Sequence, residues 1–375
     1  MKNRINIGQE ELRIQKLKEM EQELEKNPQS MLYIWGCART ASMITDFCSR
    51  NSTVSIQGYI VDDAYFNKKE FCKKQVYKAS EWKMLAKPGD YVIMGFTGQD
   101  RAKRVIQELP EGIKGIYFYF PYSANVDGTY MTYQFYSENE KRFMKVYERL
   151  EDDKSRDTME AFINGCITGD VQQLEMLRCR GQYFNELTRT CKEGCFIDCG
   201  AYVGDTIEAA VEFYKDKIQK IVAFEPDNNN VIQLNQRVSE CGVTEEILQL
   251  VAKGTWSKEA VLHFSSSDSS SSISEDGDIE IQVDAIDHVL ESIAEPVSYI
   301  KMDVEGSEKE TLLGAEHTIK RYRPILAVCV YHKAEDLFVL FEIMEELMNE
   351  SGYQFYLRYY GPDLRELVLY GIPKE

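Results

Sequence analysis

Apolar residues recur along this chain in short blocks, each closed by glycine or a carboxylate and followed by a stretch with helical spacing. Blocks at 31–35, 56–61, 91–95 and 115–120 read as strands, with helices running to about 50 and over 102–109. Such alternation predicts a small doubly wound sheet. The pattern then changes, because Phe143, Val146, Tyr147 and Leu150 fall at helix spacing, pause near Asp152-Asp153, and resume over 157–167 up to a turn at Thr168-Gly169-Asp170. This stretch reads as a helical connector. A second series of strands follows at 196–199, 220–224, 247–252, 261–264 and 299–302, with a return at 282–287 expected to rejoin the same sheet. A strand at 325–330 and two closing strands at 354–360 and 366–370 complete it, the last two as an antiparallel pair. Helices are expected over 207–211, 229–241, 310–321 and 335–348. The predicted organisation is an N-terminal helix over 1–28, a smaller α/β domain over 29–135, a helical connector over 136–189 and a larger α/β domain over 190–375.

Composition adjusts this picture only in places. A length of 375 residues is enough for two full cores. The first 27 residues carry Ile14, Leu17, Met20 and Leu24 as an apolar stripe that would pack on the first domain, and they lack the apolar run of a signal peptide. No membrane span is expected, and a cytoplasmic location follows. The net charge of −18 argues against nucleic acid, which is bound through Lys and Arg contacts to phosphate. Ten cysteines without a secretion signal read as reduced thiols. Cys191, Cys195 and Cys199 recur every four residues, yet the last two lie along one predicted strand, which separates them by about 13 Å at 3.3 Å per residue. A metal cluster is therefore not expected. The tract Ser265-Ser266-Ser267-Asp268-Ser269-Ser270-Ser271-Ser272 reads as a solvated loop.

The candidate chemistry centres on 196–206, where a strand passes through an acidic turn into a helix. Gly200 and Gly204 would let the backbone turn sharply and a ligand approach, with Ala201, Tyr202 and Thr206 beside them. Asp198 and Asp205 bracket the loop where a dinucleotide site would offer bare N–H groups to a pyrophosphate. Two like charges about 4 Å apart cost about 1 kcal/mol even in bulk water, so this loop disfavours phosphate and suits a cationic ligand with a ribose. S-adenosylmethionine (SAM) is such a ligand. The next strand ends at Glu225-Pro226, a carboxylate placed to accept ribose hydroxyls and a proline that stops the strand. Ala252 and Trp256, at the end of the third strand, are candidates for the adenine wall. The fourth strand ends in Asp303-Val304-Glu305-Gly306, whose carboxylates would converge on the same pocket, with Lys301 on their side and able to pair with one of them. His332 ends the following strand and is the histidine best placed for proton transfer. Tyr183 and Phe184, just upstream, read either as core or as aromatic walls of an acceptor pocket. In the first domain Gly36 could sit under a phosphate and Asp62 or Asp63 on a ribose, but substituted glycines around 36–41 favour a scaffold.

These residues resemble the FkbM-type SAM-dependent methyltransferases through F-I-D-C-G-A-Y-V-G-D-T at 196–206, F-E-P at 224–226, I-K-M-D-V-E-G-S-E at 300–308, the run ending at Pro324, and Y-H-K at 331–333. The resemblance covers about 190–372. It implies a class I methyltransferase fold with a seven-stranded doubly wound sheet, SAM as cofactor, and transfer to a hydroxyl of a sugar, glycan or natural product. Asp198, Gly200 and Gly204 would then line the methionine part, Glu225 the ribose, and Asp303 the region near the methyl group. The first domain resembles, more loosely, the Rossmann-type modules found beside glycan-modifying enzymes. A hydroxyl acceptor must lose its proton, and His332, Asp303 or Glu305 could take it, with His332 the favoured base. The expected site holds no metal; a divalent ion on Asp303 and Glu305 is the lesser alternative. Two further alternatives are an NAD-dependent oxidoreductase acting on a sugar nucleotide and a non-catalytic nucleotide- or sugar-binding protein. Nothing in the sequence identifies the acceptor or the oligomeric state.

Overall fold

The structure is a computed structural model, which describes residue 5 and residues 12–121, 129–264, 279–348 and 352–374. The serine tract at 265–272 lies outside the described residues. Helix α1 (Leu12–Lys26) buries Leu17, Met20 and Leu24 against the first sheet. That sheet holds β1 (Leu32–Trp35), β2 (Ile56–Val61), β3 (Glu70–Phe71), β4 (Lys74–Lys78), β5 (Tyr91–Met94) and β6 (Lys114–Tyr117). Its order is β3-β4-β2-β1-β5-β6, parallel throughout except for the short β3–β4 hairpin. The sequence pattern missed this hairpin because lysines at 68, 69, 73, 74 and 78 leave too few apolar residues to mark an edge pair. Helices α2 (Arg39–Asn51), α3 (Ala79–Leu85) and α4 (Gln99–Gln107) supply the crossovers. Strands β1 and β5 are buried on both faces, as a sheet sandwiched by helices requires.

The connector forms α5 (Tyr133–Arg149), α6 (Asp153–Thr168) and α7 (Gln172–Met176). Asp152 accepts the Ser155 N–H at 2.7 Å and starts α6, and Gly169, left-handed at φ 76°, ends it. These helices are part of a core rather than a tether. Phe143, Val146, Phe162 and Ile163 share one apolar cluster with Phe338, Phe341 and Phe355 from the far end of the chain.

The second domain carries β7 (Gly194–Cys199), β8 (Ile218–Phe224), β9 (Leu248–Val251), β10 (Gly254–Thr255), β11 (Ala260–Phe264), β12 (Ile279–Asp284), β13 (Val297–Met302), β14 (Ile325–Cys329), β15 (Tyr353–Tyr359) and β16 (Leu367–Pro373). Seven of these make one sheet in the order β15-β16-β14-β13-β7-β8-β9, closed at one edge by the antiparallel β15–β16 pair. The expected return of 282–287 to this sheet is corrected, because β10, β11 and β12 form a separate three-stranded sheet beside it. Helices α8 (Asp205–Tyr214), α9 (Asn228–Glu240), α10 (Ile286–Val289), α11 (Glu308–Leu313), α12 (Glu316–Tyr322) and α13 (Asp336–Leu347) cover its faces. The single helix expected at 310–321 is two, since the chain breaks at Gly314 where a Cβ would lie 2.0 Å from the Trp256 carbonyl oxygen. Among the described residues no helix is long and apolar enough to cross a membrane.

One side chain ties the three parts together. Arg13 is 2% exposed and donates to the carbonyls of Tyr119 at 3.0 Å, Cys166 at 2.7 Å and Ile167 at 2.7 Å, with its guanidinium over the Phe120 ring. It therefore links α1, the end of the first sheet and the C-terminus of α6, where a cation also suits the helix dipole. Replacing Arg13 with Ala leaves those buried carbonyls without their donor, and an unpaired buried polar group costs about 1–3 kcal/mol. Urea unfolding should show Arg13→Ala less stable by about 2–4 kcal/mol; a change below about 0.5 kcal/mol, the range of ordinary surface substitutions, would contradict this role.

Candidate active site

The candidate site is a cleft of about 900 Å³ across the carboxyl ends of β7, β8 and β13. Strand β7 pairs in parallel with β8 on one side and β13 on the other, so 200–206, 225–230 and 303–307 emerge at one edge. Gly200 is the point where two of these segments touch. At φ 78° it is left-handed, and a Cβ there would sit 2.0 Å from the Asp303 carbonyl oxygen. Its glycine is thus required by the neighbouring backbone as much as by any ligand. Gly204, by contrast, caps α8 and faces Leu234 and Val238 of α9, and Ala201 is buried; neither borders the cleft.

Register places Lys301 opposite Asp198, and their side chains pair at 3.0 Å with both essentially excluded from solvent. This corrects two expectations. Asp198 faces Lys301 rather than the cleft, and Lys301 forms its ion pair with Asp198 rather than with Asp303 or Glu305. Burial pushes the Asp198 carboxyl up to about 6, against the pull of Lys301, and leaves it ionised at neutral pH. Burial works against the Lys301 charge too, but Asp198 and Asp303 together raise its affinity for the proton. Its ammonium also donates to the carbonyls of Gly200 at 2.6 Å and Cys199 at 3.3 Å, fastening the turn.

Glu225 follows β8 and is 6% exposed. Its carboxylate accepts from the Tyr202 N–H at 2.9 Å, the Asp227 N–H at 2.9 Å and the Asn230 side-chain amide at 3.2 Å. Those three donors hold it rigid while it still borders the cleft, beside Pro226, Asp205, Thr206 and Tyr202. Ala252 and Trp256 do not border the cleft. Past β9 the chain turns into β10, so Gly254 and Thr255 take that position, with Leu262, Ile281 and Val283 of the small sheet as the apolar wall.

At the other end Asp303 opens to the cleft and accepts from the Tyr183 hydroxyl at 2.8 Å. Burial would raise its pKa, but Lys301 and His332 outweigh that and lower it. Glu305 leaves the extended course at φ 54° and borders the cleft with an exposed carboxylate. His332 is fully buried behind them, with Nδ1 2.8 Å from Glu308, and with Nε2 3.4 Å from Asp303 and 3.8 Å from Glu305. Burial disfavours a charged ring, yet Glu308, Asp303 and Glu305 raise it to about 10. A ring held protonated in this way weighs against the role of base expected of His332, and of the three expected candidates Asp303 and Glu305 are the ones that border the cleft.

Gln182 and Glu366 escaped the sequence pattern, whereas Tyr183, one of the two aromatics read as core or acceptor wall, borders the cleft. Tyr183 is left-handed at φ 66°, held by the Tyr299 hydroxyl donating to its carbonyl at 2.5 Å and by its N–H donating to the Tyr370 hydroxyl at 3.1 Å. Its neighbour Phe184 is core, against Phe196, Tyr214 and Tyr299. Gln182 donates to Glu366 at 2.6 Å, and this pair closes the end of the cleft nearest Tyr331. No local spacing announces these contacts, which join residues more than a hundred positions apart. In the first domain Asp62 is engaged by the Trp35 indole at 3.2 Å and Arg101 at 2.8 Å, and Asp63 by Ser80 at 2.6 Å. Both candidate ribose ligands there already serve the protein.

Residues 198–355 match the family model described as the methyltransferase FkbM domain. Among solved structures, the chain is similar to methyltransferase FkbM from Methylobacillus flagellatus KT, with a TM-score of 0.63 and 19% identity over 95% of this chain and 98% of that one. It is more distantly similar to an rRNA methylase from Streptococcus thermophilus, with a TM-score of 0.33 and 15% identity over 50% of this chain and 91% of that one. A third similarity is to the SAH-bound methyltransferase PaMTH1 of Podospora anserina, with a TM-score of 0.30 and 13% identity over 63% of this chain and 87% of that one. No curated protein matches the chain.

The buried pair gives a direct prediction. Lys301→Met should destabilise by about 3–5 kcal/mol because it strands the Asp198 charge. Adding Asp198→Asn to that variant should restore part of the loss in a denaturant titration, and a double variant no more stable than Lys301→Met would show that the two side chains are not coupled.

Proposed function

We propose that this chain, which carries an FkbM methyltransferase domain at 198–355, is a SAM-dependent methyltransferase that modifies a hydroxyl oxygen of a sugar, glycan or related natural product. The supporting observation is the charge of the cleft: among the described residues seven carboxylates, from Asp205, Glu225, Asp227, Glu280, Asp303, Glu305 and Glu366, border it against the single ammonium of Lys301. That ammonium is paired with Asp198. Such a lining repels the pyrophosphate of a dinucleotide and attracts a ligand of net positive charge, which weighs against an NAD-dependent oxidoreductase.

SAM supplies a methyl group already activated by a sulfonium. The protein's own residues bind, orient and manage one proton. Glu225, braced by three donors, accepts the ribose hydroxyls without having to reorganise, and Thr255, Leu262, Ile281 and Val283 flank the adenine. Asp205 and Thr206, at the start of α8, face the cationic amino-acid end. Asp303 and Glu305 face the acceptor. Tyr183 holds Asp303 in place through its hydroxyl. The acceptor proton passes to Asp303 or Glu305 as its oxygen attacks, with His332 packed behind both carboxylates. Alignment in a shielded cleft supplies most of the acceleration.

Calorimetric titration with S-adenosylhomocysteine (SAH) and, separately, NAD tests this reading. SAH should bind and NAD should not, and Glu225→Ala should weaken SAH at least about tenfold, since a hydrogen bond to a charged acceptor is worth about 1.5–3 kcal/mol. Binding of NAD alone would overturn the proposal.

A further inference from the structure

We propose that the acceptor end of the cleft is a divalent-cation site, with His332 Nε2, Asp303 and Glu305 as protein ligands and Glu308 as the residue that positions the histidine. Glu308 is 1% exposed and is itself anchored by the Val304 N–H at 2.9 Å. Its carboxylate pairs with His332 Nδ1 at 2.8 Å, which leaves Nε2 on the side of Asp303 and Glu305. A carboxylate on one ring nitrogen is the arrangement that orients metal-binding histidines through the other. Ahead of the ring, Nε2 is 3.4 Å from Asp303 and 3.8 Å from Glu305. These separations exceed the 2.7–2.9 Å of a charge-assisted hydrogen bond. They approach the roughly 3–3.5 Å between ligands that share an ion bound at about 2.0–2.2 Å. Asp303, Glu308 and His332 bring ligand atoms within 4.8 Å of one another.

A second observation points to missing positive charge. Glu308 Oε2 is buried without a hydrogen-bond donor among the described residues, and three carboxylates surround one imidazole while Lys301 is spent on Asp198. Two carboxylates with one imidazole form a mixed oxygen and nitrogen set, which suits Mn²⁺ better than a soft ion. As the ion binds, the Nε2 proton leaves to solvent. The open side of the site faces the cleft, where the ion would draw in an acceptor oxygen, or two oxygens of a vicinal diol. That role rests on the methyltransferase reading, whereas the site itself does not.

The test is Mn²⁺ titration of the full chain after stripping with EDTA, followed by the electron paramagnetic resonance of free Mn²⁺ at fixed ionic strength, with thermal melting as the check on folding. One saturable site is expected. Glu305→Gln, at the exposed rim, should weaken it at least tenfold without altering the melt, and Glu308→Gln should weaken it about 10- to 100-fold. Absence of a saturable site, or a site unchanged in Glu305→Gln, would overturn the proposal and mark Mn²⁺ as a counter-ion of the acidic surface. Mn²⁺ binding in a protein that does not bind SAH would leave the site standing and remove the methyltransferase reading.

Discussion

The Asp198–Lys301 pair, 3.0 Å apart and buried at the centre of the seven-stranded sheet, is the interaction on which the rest of the site depends. Two charges are not placed there for stability, because desolvation can exceed their mutual attraction. What the pair supplies is position. It matches one residue of β7 to one of β13, and the same ammonium holds the carbonyls of Cys199 and Gly200. Gly200 in turn lies against the Asp303 backbone so closely that no side chain fits between them. The turn after β7 and the end of β13 are therefore one unit, and the cleft takes its shape from it.

From that unit the charge of the cleft follows. Lys301 is consumed internally, so the carboxylates after β7, β8 and β13 are left facing the cleft with little cationic opposition. Glu225 is rigid because main-chain N–H groups hold it, and Asp303 because Tyr183 does. Glu305 stays exposed at the rim. The same negative field that admits a cationic cofactor keeps His332 protonated in the absence of another cation. One electrostatic fact thus underlies both the cofactor preference and the cation site.

Much of this was legible in the sequence wherever a signal is local. Strands ending in Glu225 and Asp303, the turn at 200–204 and the antiparallel close of the sheet all follow from runs of apolar residues and their breakers. What the sequence concealed depends on register or on distant packing. Asp198 looked like a ligand because nothing local reveals that Lys301 lies across from it. Trp256 looked like an adenine wall until β10 carried the chain into a second sheet. Tyr183 gave no sign of its contact with Asp303, 120 residues away. His332 looked like a base because its three carboxylate neighbours come from the end of β13 and the start of α11, folded back on it.

The central claim is that an acidic cleft at the ends of β7, β8 and β13 receives the adenosyl cofactor. A crystal structure of the protein with SAH tests it most directly. The account predicts density in that cleft with the ribose hydroxyls on Glu225 and the adenine against Leu262, Ile281 and Val283. Density at the edge of the first sheet instead, beside Asp62 and Arg101, would contradict it.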